Sequence, residues 1–241
     1  MMPSLEPSCK EQLEQLKKEF DEFAYIVSHD LKAPVRAVTN LSTWIEEDLG
    51  DDLAPDIKHN MDLLRSRASR LERMIEGLLT FSRSTRLELE VGLTDVSALL
   101  QEVKQSISPH ITLHVPESIC NVLTYKAKLR EVLTHVLQNA VAFNDKAQPE
   151  IVVTLSEQEH MLLFSISDNG IGIPEEALQK VFTLFYTVAP KDSVDTIGTG
   201  LAISKKIVHF AGGTIEAAQN PLGGTTISFT WPKNISALPI L

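Results

Sequence analysis

The sequence is poor in cysteine and has no long apolar run. Its 241 residues include 2 cysteines, Cys9 and Cys120, whose spacing is not that of a metal site. Such scarcity indicates a reducing compartment. No apolar stretch reaches the roughly 18–20 residues that cross a bilayer, and the N-terminal segment lacks the apolar core of a signal peptide. We therefore expect a cytoplasmic chain with no membrane span of its own.

Basic residues are also in deficit. The 22 lysines and arginines stand against 32 aspartates and glutamates, which gives a formal net charge of -10. A surface of this sign repels phosphate backbones, so nucleic acid is not an expected partner. The length suits one large domain or two modest ones, each with a buried core.

The first part of the chain has the periodicity of helices. Apolar residues of a first helix, which extends to about Leu49, recur in steps of three and four, as in the seam of a coiled coil. They are Leu13, Leu16, Phe20, Phe23, Val27, Leu31, Val38, Leu41 and Ile45. Pro34 predicts a kink in this helix. After a turn at Gly50–Asp52, Pro55 opens a second helix. Its apolar positions are Ile57, Met61, Leu64, Ala68, Leu71, Ile75 and Leu78.

Two helices joined by so short a loop predict an antiparallel helical hairpin. Each helix has more apolar stripe than one partner can cover. We therefore predict that two hairpins pair into the four-helix bundle of a homodimer. The alternative is a single hairpin packed on the rest of the chain, and the dimer is favoured over it.

The pattern changes near residues 84–88, so we predict domains at 1–86 and 87–241. In the second domain short strands alternate with helices, which predicts an α/β sandwich with the helices on one face of a sheet. The predicted helices are Thr94–Ser106, Tyr125–Phe143, Glu175–Phe182 and Leu201–Ala211. The predicted strands are Ile111–Val115, Ile151–Leu155, Met161–Ser167, Thr214–Ala218 and Thr225–Trp231, and the last two are predicted to form a hairpin around Asn220–Gly224.

The first candidate site is His29. Because Val27 and Leu31 belong to the apolar stripe, His29 is predicted to point away from the bundle axis. Unperturbed histidine titrates near pH 6.5, so one ring nitrogen is free to act as a nucleophile at neutral pH. Asp30 could fix the tautomer and accept the proton. A surface histidine beside an aspartate is a weak signal when it stands alone.

The second candidate site is the string from Ser167 to Pro174. Strand alternation places Phe164, Ile166 and Asp168 on one apolar face, so Asp168 is predicted at the edge of a core. A buried carboxylate needs hydrogen-bond donors, and the exocyclic amine of adenine is a suitable one. Gly170 and Gly172 permit a close approach of the backbone. The alternative is a tight turn capped by an aspartate.

Two further sites lie on predicted helices. Gly198, Thr199, Gly200 and Leu201 open a helix whose outward N–H groups and dipole suit a phosphate. On the long helix, Glu131, His135 and Asn139 are four residues apart and share one face. An oxygen of Asn139 could hold Mg²⁺ there. The alternative for the face of Glu131, His135 and Asn139 is an ordinary solvated helix face.

Together and in this order, the motifs resemble those of the sensor histidine kinases of two-component systems. SHDLKAP at 28–34 is similar to the phosphoacceptor box, and its wording is most similar to the phytochrome-like branch. The other similar boxes are HVLQNA at 135–140 (asparagine), DNGIGIP at 168–174 (first glycine), VFTLF at 181–185 (phenylalanine) and GTGLAISKKIV at 198–208 (second glycine). The ordered set spans nearly the whole chain.

The resemblance implies a dimerisation and phosphoacceptor domain of the HisKA type, followed by an ATP-binding sandwich of the gyrase, chaperone and kinase type. His29 would accept the phosphoryl group with Asp30 as its acid–base partner, and Asp168 would recognise adenine. Asn139 would bind Mg²⁺, and Thr183–Ile197 would be a mobile lid. The implied pocket residues are Gly170, Gly172, Lys191, Gly198, Thr199, Gly200 and Leu201. The implied cofactors are ATP and Mg²⁺. The implied partners are a second copy of the chain, a response regulator receiver domain and an upstream sensor module.

Four positions depart from the family's pattern. His135 stands in place of the first asparagine of its box, Ala142 in place of a common basic residue, and Thr196 in place of a glycine. Ala33 replaces the threonine or asparagine that positions a water in many relatives, which predicts weak phosphatase activity. One rival interpretation is an ATPase of the same fold, but such enzymes carry a water-activating glutamate where His135 stands. The other rival is a dimeric scaffold with a decayed nucleotide site.

Overall fold

The structure, a computed structural model, describes residues 9–50, 54–107, 111–115, 121–188 and 196–235. It divides the chain into two compact units, Met1–Arg83 and Ser84–Leu241. The functional division predicted at 1–86 and 87–241 stays a prediction, because compactness alone does not show which segment folds by itself.

The first unit contains two helices, α1 (Cys9–Leu49) and α2 (Pro55–Arg83). Pro34 lies inside α1 without ending it. Gly50 follows α1 with φ +65°, the left-handed conformation in which glycine ends many helices. Proline at the first position of α2 lacks only an N–H that would have no helical partner there. Both predicted helices are therefore present with nearly the predicted ends.

The contact between α1 and α2 is lined mostly by small residues. The buried residues of α1 are Ala24, Ser28, Val35 and Ser42, and those of α2 are Ala68, Ile75, Gly77 and Ser82. Seven large apolar residues of the predicted α1 stripe are instead exposed: Leu16, Phe20, Phe23, Leu31, Val38, Leu41 and Ile45, here called the outer stripe. Within one hairpin, small side chains let the two helices approach closely and leave the large residues of the stripe uncovered. This agrees with the prediction that each helix carries more apolar surface than one partner covers, and the pairing of two hairpins stays a prediction.

Ion pairs fix the antiparallel register of α1 and α2. Lys32 Nζ lies 3.1 Å from Glu76 Oε1, and Arg36 Nε lies 2.9 Å from Glu72 Oε1. Four residues forward on α1 thus correspond to four residues back on α2. Because exposed ion pairs contribute about 0–1 kcal/mol each, they specify the alignment more than they stabilise it.

The second unit contains three helices and seven strands among its described residues. The helices are α3 (Val96–Ile107), α4 (Lys126–Ala142) and α5 (Gly200–Phe210). The strands are β1 (Val91–Asp95), β2 (Ile111–His114), β3 (Asn121–Tyr125), β4 (Ile151–Glu157), β5 (Met161–Asp168), β6 (Ile215–Gln219) and β7 (Thr225–Pro232). Two short 3₁₀ turns, Glu175–Ala177 and Lys180–Phe182, replace the predicted helix Glu175–Phe182.

The main sheet has the strand order β2-β4-β5-β7-β6, and β1 pairs with β3 in a separate two-stranded sheet. In the main sheet β2 and β4 are parallel, and the other neighbours are antiparallel. Alternate residues of the central strands are buried, as in the stacked rings of Phe164 and Phe229, whose centroids are 4.6 Å apart. The polar pair Ser165 and Ser228 occupies the opposite face. Helices α4 and α5 pack against the apolar side, so the sandwich predicted from the sequence is present.

Candidate functional site

His29 lies on the outside of the hairpin, with 74% of its side chain exposed. Its Nδ1 is 3.1 Å from Oδ1 of Asp30, the next residue along α1. A neutral imidazole that donates Nδ1–H to this carboxylate keeps its lone pair on Nε2. The nitrogen with the lone pair therefore faces solvent, where it is accessible to a second reactant.

Two residues beside His29 were not found from the sequence. The ring of Tyr25, one helical turn earlier, has its centroid 6.3 Å from that of the imidazole. The guanidinium carbon of Arg83, at the end of α2, lies 5.1 Å from the Tyr25 ring centroid. Their proximity depends on the antiparallel register of the hairpin, and no spacing within either helix indicates it.

Asp168 ends β5 and accepts two backbone hydrogen bonds in the second unit. Gly170 N donates to its Oδ1 at 2.9 Å, and Thr225 N donates to the same oxygen at 3.2 Å. Within the described residues Oδ2 has no protein donor, so this oxygen is available to a ligand. Burial raises the pKa of Asp168 above its usual value, and the two backbone donors offset part of that rise.

Asn220 and Gly224 contact the backbone carbonyl of Asp168. Asn220 Nδ2 donates to the carbonyl oxygen of Asp168 at 2.7 Å, while Asn220 Oδ1 accepts from Gly224 N at 3.1 Å. A Cβ on Gly224 would lie 2.1 Å from the same Asp168 oxygen. The sequence predicted Asn220–Gly224 only as a hairpin loop. Its supporting role follows from the pairing of β5 with β7 and could not be predicted from local motifs.

The two predicted glycines after Asp168 are required by close backbone packing. A Cβ on Gly170 would lie 2.4 Å from the carbonyl oxygen of Phe143. Gly172 has φ +72°, and a Cβ there would lie 2.6 Å from Gly223 O. A side chain at Gly170 would push this turn away from the end of α4, and one at Gly172 would push it away from the turn that contains Gly223.

Asn139 is linked to this turn through the end of α4. Its carbonyl accepts from Phe143 N, and the carbonyl of Phe143 accepts from Ile171 N, both at 3.1 Å. The Asn139 side chain is half-buried. No group of three or more His, Cys, Asp or Glu side chains suited to a metal occurs among the described residues. A cation held by Asn139 would need further ligands such as phosphate oxygens and water, which is the usual environment of Mg²⁺.

The polar face of α4 lies beside the start of α5. A Cβ on Gly200 would be 3.5 Å from Cβ of His135. Burial lowers the pKa of His135 below its ordinary value, and the nearby Glu131 carboxylate opposes this effect. Lys128 Nζ pairs with Glu131 Oε2 at 2.8 Å. The structure therefore brings His135, which departs from the family's pattern, close to the predicted phosphate site.

The α5 end of the site contains three more predicted residues. Gly198 has φ +70°, and a Cβ there would lie 2.3 Å from Tyr186 O. Phe185 N donates to Gly198 O at 2.8 Å, which ties together the two ends of the predicted lid. Thr199 precedes α5 without a side-chain cap, and the side chain of Leu201 is buried, so Leu201 could contact a ligand only through its backbone. Lys191 lies outside the described residues.

Two family models match the chain. The one described as Histidine kinase-, DNA gyrase B-, and HSP90-like ATPase matches residues 124–235. The one described as His Kinase A (phospho-acceptor) domain matches residues 21–86. The chain belongs to the sensor histidine kinases. The second of these matches includes His29 and Asp30, and the first includes every predicted nucleotide-site residue from Asn139 to Leu201.

Individual relatives agree with this assignment. The kinase is 31% identical over 226 residues to Cyanobacterial phytochrome B of Nostoc sp. strain PCC 7120, which covers 91% of this chain and 30% of that protein. The chain thus spans less than a third of that relative's length. No described helix is long and apolar enough to cross a membrane.

Solved structures share the fold. Full-length ShkA in complex with AMPPNP matches with a TM-score of 0.62 and 23% identity, over 91% of this chain and 47% of that one. Histidine kinase ThkA in complex with response regulator protein TrrA matches with a TM-score of 0.65 and 20% identity, over 98% and 70%. The predicted fold class, a helical hairpin followed by an α/β ATP-binding sandwich, is confirmed.

Proposed function

We propose that this chain is the cytoplasmic kinase core of a longer sensor protein. It uses Mg-ATP to phosphorylate His29 and passes the phosphoryl group to an aspartate of a response regulator. One observation carries the proposal: a solvent-exposed imidazole whose Nδ1 is paired with a carboxylate occurs in the same chain as an ATPase fold. The AMPPNP bound to ShkA supports ATP as the nucleotide.

The nucleotide site is assigned to residues of the second unit. Asp168 Oδ2 accepts a hydrogen bond from the exocyclic amine of adenine, because Oδ1 is already occupied by two backbone donors. Backbone N–H groups at the start of α5 donate hydrogen bonds to the phosphates, and the amide oxygen of Asn139 is a ligand of Mg²⁺. When bound, Mg-ATP supplies the γ-phosphoryl group and the cation that neutralises charge as that group leaves.

At His29, Nε2 attacks the γ-phosphorus while the bond from phosphorus to the bridging oxygen breaks and ADP departs. The Nδ1 proton moves to Asp30, which leaves an uncharged imidazole ring that carries the anionic phosphoryl group on Nε2. General-base help of this kind contributes about 10²–10⁴-fold. A receiver aspartate then takes the phosphoryl group from nitrogen. The response regulator in the ThkA complex supports a partner of this class.

The outer stripe supports a homodimer. Phe23 is 63% exposed and Leu41 is 51% exposed, and both belong to the seven residues of the outer stripe on α1. A second copy of the hairpin would cover this surface in a four-helix bundle. The chain spans only 30% of its phytochrome relative, so an upstream sensor module is assigned to the rest of a longer protein.

The test is labelling with Mg-ATP that carries ³²P at the γ position. Wild type and a His59→Gln variant, which changes an exposed histidine of α2, are expected to acquire acid-labile, base-stable label. His29→Gln is expected to acquire none. Acid-labile label on His29→Gln would place the acceptor elsewhere, and no label on wild type that binds ADP would contradict the kinase assignment.

A further inference from the structure

Arg83 contacts an aromatic ring beside the acceptor histidine. It lies in the last turn of α2, where a basic residue already interacts favourably with the helix dipole. Its guanidinium carbon is also 5.1 Å from the centroid of Tyr25, within the range of a cation–π contact. The dipole alone explains the charge but does not explain why the side chain lies over this ring.

Two other cations of the hairpin, Lys32 and Arg36, have carboxylate partners. Lys32 pairs with Glu76 at 3.1 Å, and Arg36 pairs with Glu72 at 2.9 Å. In the described part of the chain, Arg83 has the neutral Tyr25 ring as its partner and forms no ion pair. Its positive charge is therefore not compensated by a carboxylate, unlike that of Lys32 or Arg36.

The ring of Tyr25 is a neighbour of both this charge and the imidazole of His29. Its ring centroid is 6.3 Å from the imidazole centroid, with the two rings tilted by 32°. His29 and Arg83 are thus both neighbours of one ring. Phosphorylation would place a group of charge about −2 on an imidazole that is 74% exposed. An arginine can reach such a group with two parallel N–H donors.

We propose that Tyr25 and Arg83 form a phosphate-holding pair that stabilises phosphorylated His29. Before phosphorylation, the Tyr25 ring keeps the guanidinium of Arg83 near the imidazole. After it, Arg83 donates hydrogen bonds to the phosphoryl oxygens. The pair shifts the equilibrium between ATP and phosphohistidine toward phosphohistidine and slows hydrolysis of the N–P bond. This inference rests on the function proposed above, because it requires His29 to be the acceptor.

The first experiment measures an equilibrium. Phosphorylated fractions are followed to a plateau at fixed ATP to ADP ratios. Arg83→Gln is expected to lower the equilibrium constant for phosphohistidine formation about threefold, the size of an exposed charge interaction. Arg36→Gln is the matched control, since it removes the same charge from the hairpin at a residue paired with Glu72, and it is expected to leave the constant unchanged. A residue that only supports the fold or speeds transfer would change the rate and not the plateau.

Substitutions of Tyr25 test the ring separately. Tyr25→Phe keeps an aromatic face and is expected to retain the wild-type equilibrium, whereas Tyr25→Leu is expected to match Arg83→Gln. Equal plateaus for wild type, Arg83→Gln and Tyr25→Leu would overturn the inference and leave the kinase proposal intact.

The second experiment needs no kinase activity. Phosphoramidate phosphorylates exposed histidines directly, and ³¹P NMR follows each signal as it decays. The signal that is absent from His29→Gln identifies phosphorylated His29. Its half-life is expected to fall about threefold in Arg83→Gln and to stay constant in Arg36→Gln. If ATP does not label the wild type, the proposed function fails; if the half-life is the same in both variants, the phosphate-holding pair fails.

Discussion

At the scale of single residues, the proposed nucleotide site contains a carboxylate, Asp168, with one oxygen that has no donor among the described residues. Asp168 lies at the edge of an apolar core, and burial raises its pKa. The folded chain therefore binds this proton more readily than the unfolded chain does. The stability associated with Asp168 is full at low pH and is lost as pH rises through its folded pKa. A hydrogen-bond donor from a ligand would favour the charged form of Asp168 and offset part of the cost of burying it.

Asp168→Asn is accordingly expected to lower the affinity for ADP without lowering the stability of the fold. The asparagine keeps an oxygen that accepts from Gly170 N and Thr225 N. Its NH₂ group and the adenine amine are both hydrogen-bond donors, so they cannot bond to each other. We expect ADP affinity to fall by at least about tenfold, the value of a lost hydrogen bond to a charged group. Stability at pH 7.5 is expected to stay equal or increase. Calorimetric titration with ADP and thermal melts measure the two effects, with Asp145→Asn as an exposed control. Unchanged ADP binding would remove Asp168 from the site.

His135 is expected to give the second unit a pH-dependent stability. Its pKa is lowered in the folded state by burial, so the unfolded chain binds the proton more readily. Stability is therefore present above the ordinary pKa of 6.5 and is lost as pH falls below it toward the folded pKa. His135→Asn is expected to flatten this dependence between about pH 7.5 and 5.5.

Urea unfolding of the chain at several pH values measures this effect. His160→Asn serves as the control, because the side chain of His160 is 85% exposed. If the two variants lose stability equally on acidification, then His135 is not the group responsible.

At the scale of elements, the sequence predicted the helices well but did not identify which residues pack between α1 and α2 within one hairpin. Spacing of large apolar residues identified α1 and α2, and Pro55 marked the start of the second helix. Ala24, Ser28 and Ser42 are buried within the hairpin, because small side chains let helices approach closely, while the large residues of the predicted stripe stay exposed in a single copy. Strands β1 and β3 were missed because their pairing partners are distant in sequence. They pair with each other outside the main sheet, and Leu123 of β3 also bonds to the backbone of Lys233 and Ile235.

The candidate site was predictable to the extent that it depends on local motifs. Asp168 was placed correctly at the core edge by strand alternation, and Gly198 by its turn before α5. Asn220 and Thr225 were missed because they are brought to Asp168 only by the sheet, from more than 50 positions away in sequence. Residues that support a site from another strand cannot be recognised without the strand order.

Gly198, at the base of the predicted lid, is expected to tolerate no side chain. Gly198→Ala combines a left-handed φ of +70° with a Cβ 2.3 Å from Tyr186 O. Gly223→Ala is the matched control, since Gly223 has φ +85° and nothing within 4 Å of a Cβ. The control is expected to cost about 1 kcal/mol from its backbone conformation, and Gly198→Ala at least about 2 kcal/mol. Urea denaturation measures both. Equal costs would show that the contact with Tyr186 relaxes freely.

At the scale of the whole molecule, an acidic surface coexists with an uncovered apolar stripe. The net charge of -10 opposes non-specific association of copies. The outer stripe favours association in one defined way, because its residues recur at helical spacing along one side of α1. Exposed large apolar residues grouped in this manner mark an interaction surface more often than single ones do. Association through this stripe would place two acceptor histidines in one assembly.

Phe23→Glu is expected to convert the protein to monomers. Phe23 is 63% exposed and lies in the outer stripe, so a glutamate there would put an unpaired charge into the interface between two copies. Light scattering after size exclusion is expected to give about twice 26.7 kDa for wild type and about 26.7 kDa for the variant. Leu222→Glu is the control, since Leu222 is 64% exposed in the turn between β6 and β7, away from the stripe. Because apolar burial drives the association, raising the salt concentration is not expected to dissociate wild type. A monomeric wild type, or a dimeric Phe23→Glu, would mean that the outer stripe is covered by something other than a second copy.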